Sequence, residues 1–281
     1  MGELIAGQTT AMVITYNEGP NLLRCLDGLR WAPRILIVDS GSTDETLNIA
    51  RQYSQADIVE RPFDDFATQC NFGLARIETR WVLSLDADYQ LSEALVAEIS
   101  ALRENDVAGY SAAFVYRMYG RPLRGSLYPP RVVLYRKDGA AYRNEGHAHR
   151  VMIAGRAATL RGKILLDDRK ALARWFASQQ HYARREADYL LATPRAGLGR
   201  ADRVRLMGWP APVLVFFYTL IVKRCALDGW AGWLYTLQRT FAEIALALEI
   251  VDRRVRNHAP AETSGRERDE AGRVSGRVDT L

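Results

Sequence analysis

Cysteine is scarce and badly spaced for either of its usual structural uses. Cys25, Cys70 and Cys225 are odd in number and far apart, so they give neither a disulfide framework nor zinc-site spacing, and they fit a reducing compartment. The apolar run Pro212 to Val222 has eleven residues, well short of the roughly 20 that a membrane-spanning helix needs. The start, Met1 to Gln8, has neither the basic flank nor the apolar middle of a secretory signal, so the first half is expected to stay in the cytosol. No G-x-x-x-x-G-K-[ST] segment occurs, and no glycine-rich dinucleotide turn follows the first apolar run, where Thr15-Tyr16-Asn17-Glu18 stands instead. A P-loop enzyme and a dinucleotide-binding fingerprint are both excluded. Zinc-finger spacing, an aromatic ribonucleoprotein motif and a compact basic helix are likewise missing from the first half, so nucleic acid is not expected as a partner.

What is present is alternation. The 281 residues are 48% hydrophobic and 25% charged, with a formal charge of +5, enough for one large core and for a preference toward anionic ligands or surfaces. Thr9 to Tyr16, Arg34 to Ser40, Asp57 to Arg61 and Arg80 to Leu85 read as strands; between and after them Asn21 to Leu29, Thr46 to Tyr53, Phe66 to Ile77 and a segment capped by Ser92 read as helices. Ile35, Leu36, Ile37 and Val38 are apolar on both faces, as in an interior parallel strand. The pattern predicts an α/β, doubly wound parallel sheet with ligands at the carboxyl ends of the strands.

Acidic residues stand at those ends: Glu18, Asp39, Asp86 and Asp88. Asp86 and Asp88 are two apart at the end of an apolar run, so an extended backbone points both carboxylates to one side. Such a pair is costly without a cation. Hard divalent ions such as Mg²⁺ or Mn²⁺ suit it, since they bridge carboxylates to substrate phosphates. His147 and His149 flank one alanine with no third ligand in sight, a weak case for a transition-metal site.

Three segments, Thr15 to Glu18, Val38 to Thr46 and Leu85 to Asp88, resemble in order the signatures of family 2 glycosyltransferases. The resemblance implies a Rossmann-like, nucleotide-diphosphate-sugar-binding fold of the A type, dependence on Mg²⁺ or Mn²⁺, and inversion at the anomeric carbon. Phe66 to Asn71 and Leu227 to Gly232 are similar to segments of bacterial lipopolysaccharide-core and other envelope-polysaccharide transferases, with a departure at Tyr89, where those proteins often carry an acid. The implied reaction moves a sugar from a nucleotide-diphosphate donor, a UDP-sugar by the family's habit, to a hydroxyl of a lipid-linked or lipopolysaccharide-core acceptor.

Roles follow from that resemblance. Asp39 would accept the imide N–H of uracil, with Thr15, Tyr16 and Glu18 lining the same pocket; Asp86 would reach the ribose or the metal's water shell, Asp88 would ligate the metal, and Arg131 would clamp the diphosphate. The catalytic base would be Asp168 or Asp167, and Glu145 and His147 would contact acceptor or phosphate. Plainer alternatives stay open: Asp39 as a turn former, Asp168 as a helix cap, Arg131 as a surface residue. Two other functions also stay open, a polyprenyl-phosphate glycosyltransferase, whose anionic acceptor needs no base, and a non-catalytic transferase-like binding or assembly module. A sugar-nucleotide pyrophosphorylase would need a glycine-rich loop after the first strand.

The last third differs in character. Between Arg174 and Arg224 stand nine Lys/Arg against three Asp/Glu, and Trp230, Trp233, Leu234, Leu237, Phe241, Ile244 and Leu248 recur at threes and fours. Basic residues beside a tryptophan-rich apolar face suit the inner surface of an anionic cytoplasmic membrane; core or dimer packing is the alternative. The expected organisation is a catalytic domain over 1–185, a basic amphipathic helical region over 186–252 and a disordered tail over 253–281.

Overall fold

The computed structural model describes residues 2–145 and 148–258. Its first half runs β1 (Thr9–Thr15), α1 (Gly19–Asp27), β2 (Arg34–Asp39), α2 (Thr46–Ala50), β3 (Ala56–Glu60), α3 (Phe66–Arg76), β4 (Trp81–Asp86), β5 (Tyr89–Leu91) and α4 (Glu93–Ala101). Then come β6 (Gly109–Met118), β7 (Arg121–Pro122), β8 (Arg131–Arg136), β9 (Ala141–Glu145), β10 (Ala148–Met152) and β11 (Ala157–Leu166). Helices close the described chain: α5 (Leu172–Ala192), α6 (Arg200–Leu206), α7 (Pro210–Phe217) and α8 (Trp230–His258).

The main sheet has the order β3-β2-β1-β4-β8-β6-β11-β5, with β7 paired to β6, and β9 and β10 form a separate hairpin. Its first four strands are parallel, as the βα alternation predicts. Beyond β4 the sheet is mixed, because β8 enters antiparallel to both β4 and β6. Side chains alternate across the parallel half: Ala11, Val13, Ile35, Ile37, Trp81 and Leu83 pack toward α1 and α4, while Met12, Leu36, Val38 and Val82 pack toward α3 and the β9–β10 hairpin. Burial on both faces is why these strands read as continuous apolar runs. Caps fix two of the helix starts: Asp65 accepts from Thr68 N at 2.9 Å and Ser92 from Leu95 N at 3.2 Å. The parallel βα half is the one expected from the sequence, and C-terminal helices follow the sheet.

Two expected boundaries are corrected. The break placed at 185 falls inside α5, which runs unbroken over Leu172–Ala192 and packs on α8 through Ala187 and Leu190. Residues 253–258, assigned to a disordered tail, continue α8 because Arg253 pairs with Asp188 at 2.6 Å and Arg256 with Asp252 at 2.9 Å. The remainder of that tail lies outside the described residues.

Candidate active site

Strand register brings the first site residues side by side. Thr15 pairs with Asp39 across β1 and β2, and Ile14 with Asp86 across β1 and β4, so the carboxyl ends of three neighbouring strands form one ledge. It lies where the connections diverge to opposite sides of β1, the usual crevice of such sheets.

The turns after β1 and β2 are stitched together. Asn17 takes a left-handed conformation (φ 53°), its N–H donates to Ser42 Oγ at 2.7 Å, and its side-chain oxygen accepts from Thr43 N at 2.7 Å. Glu18 N–H donates to Thr46 Oγ1 at 2.7 Å. Asp39 is fully buried; its Oδ2 accepts from the N–H groups of Gly41 (2.8 Å) and Ser42 (2.7 Å), and its Oδ1 from Ser42 Oγ. The chain can make this tight return because Gly41 adopts φ +88°. Asp39 therefore shapes the turn and does not line the cavity beside it, where Ser40 stands.

That cavity, of about 750 Å³, has a charged floor of Glu18, Asp86, Asp88 and Lys170. Asp86 ends β4 and Asp88 sits in the following turn. Neither carboxylate accepts a hydrogen bond or closes an ion pair among the described residues. Burial, with Glu18 and Asp86 nearby, pushes the Asp88 carboxyl well above its ordinary range. Glu18 is raised as well, since burial outweighs its contact with Lys170. Lys170 Nζ lies 2.5 Å from Glu18 Oε1 and 3.6 Å from Asp168 Oδ2. Burial alone would lower the amine, but Glu18, Asp88 and Asp168 outweigh it and keep the ammonium charged. Asn21 Nδ2 donates to both Glu18 Oε2 (2.8 Å) and Asp168 Oδ1 (3.0 Å), tying the two acids together.

The two candidate bases differ sharply. Asp167 is 1% exposed, and its Oδ2 takes Arg24 (3.2 Å), Arg169 (2.9 Å) and the N–H of Gly120 (3.0 Å). It locks α1 to the end of β11. Asp168 keeps 24% of its side chain exposed, next to the carboxylate floor. Arg131 lies away from the larger cavity and lines an adjoining one of about 420 Å³ together with Asp86, Tyr89, Tyr142 and His149. His147 lies outside the described residues, and Glu145 is described only as the last residue of β9, paired with Ala148.

Helix α5 supplies what sequence reasoning missed. Arg174, Ser178, His181 and Tyr182 roof the larger cavity opposite Phe63 and Phe66. Arg174 donates to the carbonyls of Tyr16 and Asn17, holding the first turn in place. In the sequence this arginine belongs to a basic surplus and looks like part of a surface stripe. Lys170 carried a signal, standing two residues after Asp168 at the start of a helix.

The cation question rests on the floor. Among the described residues no group of three or more His, Cys, Asp or Glu could hold a metal ion. Two carboxylates free of hydrogen bonds still fit Mg²⁺ or Mn²⁺, which commonly take one or two carboxylates and fill their remaining positions with phosphate and water. Cys25, Cys70 and Cys225 are buried free thiols.

Comparison with known proteins adds the following. The family described as glycosyl transferase family 2 matches residues 10–164. An uncharacterized glycosyltransferase of Rickettsia bellii (strain RML369-C) is 24% identical over 260 residues, covering 86% of this chain and 85% of its own. The lipopolysaccharide core biosynthesis glycosyltransferase LpsC of Rhizobium meliloti (strain 1021) is 31% identical over 134 residues, covering 46% of this chain and 48% of its own. Among solved structures, S. aureus TarS 1-349 in complex with UDP-GlcNAc aligns over 84% of this chain and 90% of its own, with 14% identity and a TM-score of 0.44.

Proposed function

The chain belongs to glycosyl transferase family 2, and on that footing we propose that it transfers a sugar, with inversion, from a UDP-sugar to a hydroxyl of a lipid-linked or lipopolysaccharide-core acceptor. The observation that carries this reading is the cavity of about 750 Å³ at the ends of β1, β2 and β4, with the Asp86 and Asp88 carboxylates in its lining. The nucleotide lies against Thr15, Tyr16 and Phe66, and Asp39 supports that wall by holding its turn. The diphosphate lies over Asp86, Asp88 and Lys170. Asp88, with Asp86 beside it, would hold Mg²⁺ or Mn²⁺, which supplies charge compensation for the leaving diphosphate.

Asp168 is the base in this reading. It takes the proton of the acceptor hydroxyl as the oxygen bonds to the anomeric carbon and the bond to the diphosphate breaks, the leaving group departing with the electron pair. Support comes from its partial exposure beside Lys170, against the burial of Asp167, whose Oδ2 is taken by two arginines and a backbone N–H. Lys170 sits against Glu18 and Asp168 and faces the departing phosphates.

We further place the enzyme on the inner face of the cytoplasmic membrane. Met207, Trp209, Phe217, Ile221, Val222 and Leu227 are exposed on α7 and the segments flanking it, with Trp209 77% accessible and Lys223 and Arg224 adjoining. Apolar side chains beside cations match an anionic lipid surface. Among the described residues no helix is long and apolar enough to cross a membrane.

The test is a thermal-shift series with UDP and UDP-sugars, with and without Mn²⁺. UDP is expected to raise Tm, more so with Mn²⁺, and Asp88→Ala to remove the Mn²⁺ increment along with turnover. No shift with any uridine nucleotide would sink the donor assignment.

A further inference from the structure

The smaller cavity plays no part in the donor assignment, yet it touches the same reacting point. Among the described residues Asp86 alone lines both cavities. The wall between them is otherwise aromatic, Phe66 of the larger stacking on His149 of the smaller with ring centroids 5.3 Å apart and planes 27° apart. Two chambers meeting at one strand-end carboxylate suit a reaction in which two substrates must meet.

Arg131 gives the smaller chamber its chemistry. The residue opens β8 after Pro129-Pro130 and is partly buried, with its guanidinium 5.0 Å from the centre of the Tyr128 ring. Among the described residues it forms no hydrogen bond and no ion pair. A guanidinium withdrawn from water costs free energy unless an anion pairs with it, and a ring face replaces only part of that. Its planar fork matches phosphate and carboxylate in bidentate fashion. Burial pulls His149 toward the neutral form; Asp86 opposes this and Arg131 adds to it. Asp86 lines the same chamber, where its charge and that of Asp88 favour the guanidinium, and it marks the point at which the chamber joins the larger cavity.

We propose that this chamber is the acceptor subsite and that Arg131 selects an acceptor saccharide carrying a phosphate or carboxylate. The hydroxyl to be glycosylated points to the Asp86 end while the anionic group sits on the guanidinium. This rests on the larger cavity holding the donor, and it moves Arg131 from a donor clamp to a residue of acceptor recognition.

The experiment uses the full chain and inorganic phosphate as the probe, titrated calorimetrically with and without saturating UDP, and acetate in parallel to separate phosphate from carboxylate preference. Phosphate or acetate is expected to bind with UDP already in place. Arg131→Met should weaken that binding about tenfold or more, since a charge-assisted hydrogen bond contributes about 1.5–3 kcal/mol, while UDP affinity stays within about twofold. Arg131→Lys should recover part of the loss and shows the effect is not misfolding. Three results overturn the proposal: no anion binding to the wild type, unchanged binding by Arg131→Met, or displacement of phosphate by UDP, which would return Arg131 to the donor diphosphate. Failure of UDP itself to bind sinks the donor assignment instead, and the UDP-free titration then reports on the chamber alone.

Discussion

At the scale of single residues the site is a problem of crowded charge. Glu18, Asp86, Asp88 and Asp168 share one neighbourhood with a single buried ammonium, Lys170. A buried carboxyl whose native pKa is raised favours the protonated, folded form at low pH. The stability this gives is present below the unfolded value of 3.8 and lost as pH rises through the raised native value. Ionised Asp88 therefore destabilises the metal-free protein at neutral pH. Asp88→Asn is expected to raise Tm at pH 7.5 without divalent ions while abolishing turnover, and the Tm gap should close as pH falls toward 3.8. A wild type that melts above the variant at pH 7.5 would contradict this. For the base, Asp168→Asn should lower kcat by about 10²–10⁴-fold, the usual contribution of a general base, with UDP affinity unchanged. Near-normal turnover in that variant would point to an acceptor that is already anionic, as a polyprenyl phosphate is.

At the scale of elements, packing overrides local preference. Gly232 lies in the first turn of α8, where alanine would be favoured over glycine by about 1 kcal/mol. A Cβ there would sit 1.8 Å from the carbonyl oxygen of Cys225 and 3.0 Å from Asp228 Cβ. The turn at Cys225–Asp228 carries the carboxylate that binds Arg124 N–H at 3.0 Å, and Tyr235 Oη on α8 accepts from Leu127 N at 2.8 Å. Overpacking costs about 1–3 kcal/mol, more against backbone, so Gly232→Ala should lower Tm by several degrees in a thermal melt and loosen the 123–128 loop. Helix α5 shows the same rule. A long helix beyond Asp168 was legible, though Asp168 does not cap it, but its service as the cavity roof was not, because Arg174 reaches the carbonyls of Tyr16 and Asn17 only when the chain folds back over more than 150 positions.

At the scale of the whole molecule, the stripe of Trp230, Trp233, Leu237, Phe241, Ile244 and Leu248 is the surface on which the proposed membrane placement rests. Periodicity predicts an amphipathic α8, and the helix forms. Its buried face, however, is Ala231, Tyr235, Leu246 and Ile250, and the larger apolar residues of the stripe remain exposed, Leu248 by 65%. Trp209, Leu214 and Phe217 on and beside α7 are exposed as well. Full-length protein should co-sediment with phosphatidylglycerol-containing vesicles and much less with pure phosphatidylcholine. High salt should weaken this binding by screening the cations, and Trp209→Ser with Trp230→Ser should weaken it at any salt. Equal recovery in the supernatant with both vesicle types would rule the membrane role out.

The sequence by itself determined the parallel βα half, the strand-end acids and the family they mark, since each depends on short-range periodicity and on motifs contiguous in the chain. It also determined that α8 has two faces. Tertiary structure alone decided which face is covered, that Asp39 spends its oxygens on its own turn, that Asp167 is locked while Asp168 is open, and that Arg131 lies in a second chamber. Each of these turns on partners far apart in sequence: Asp167 meets Arg24 across 143 positions, and Asn21 meets Asp168 across 147. Adjacent carboxylates with the same local pattern part company only when the fold assigns one an arginine pair and leaves the other partly exposed beside Lys170.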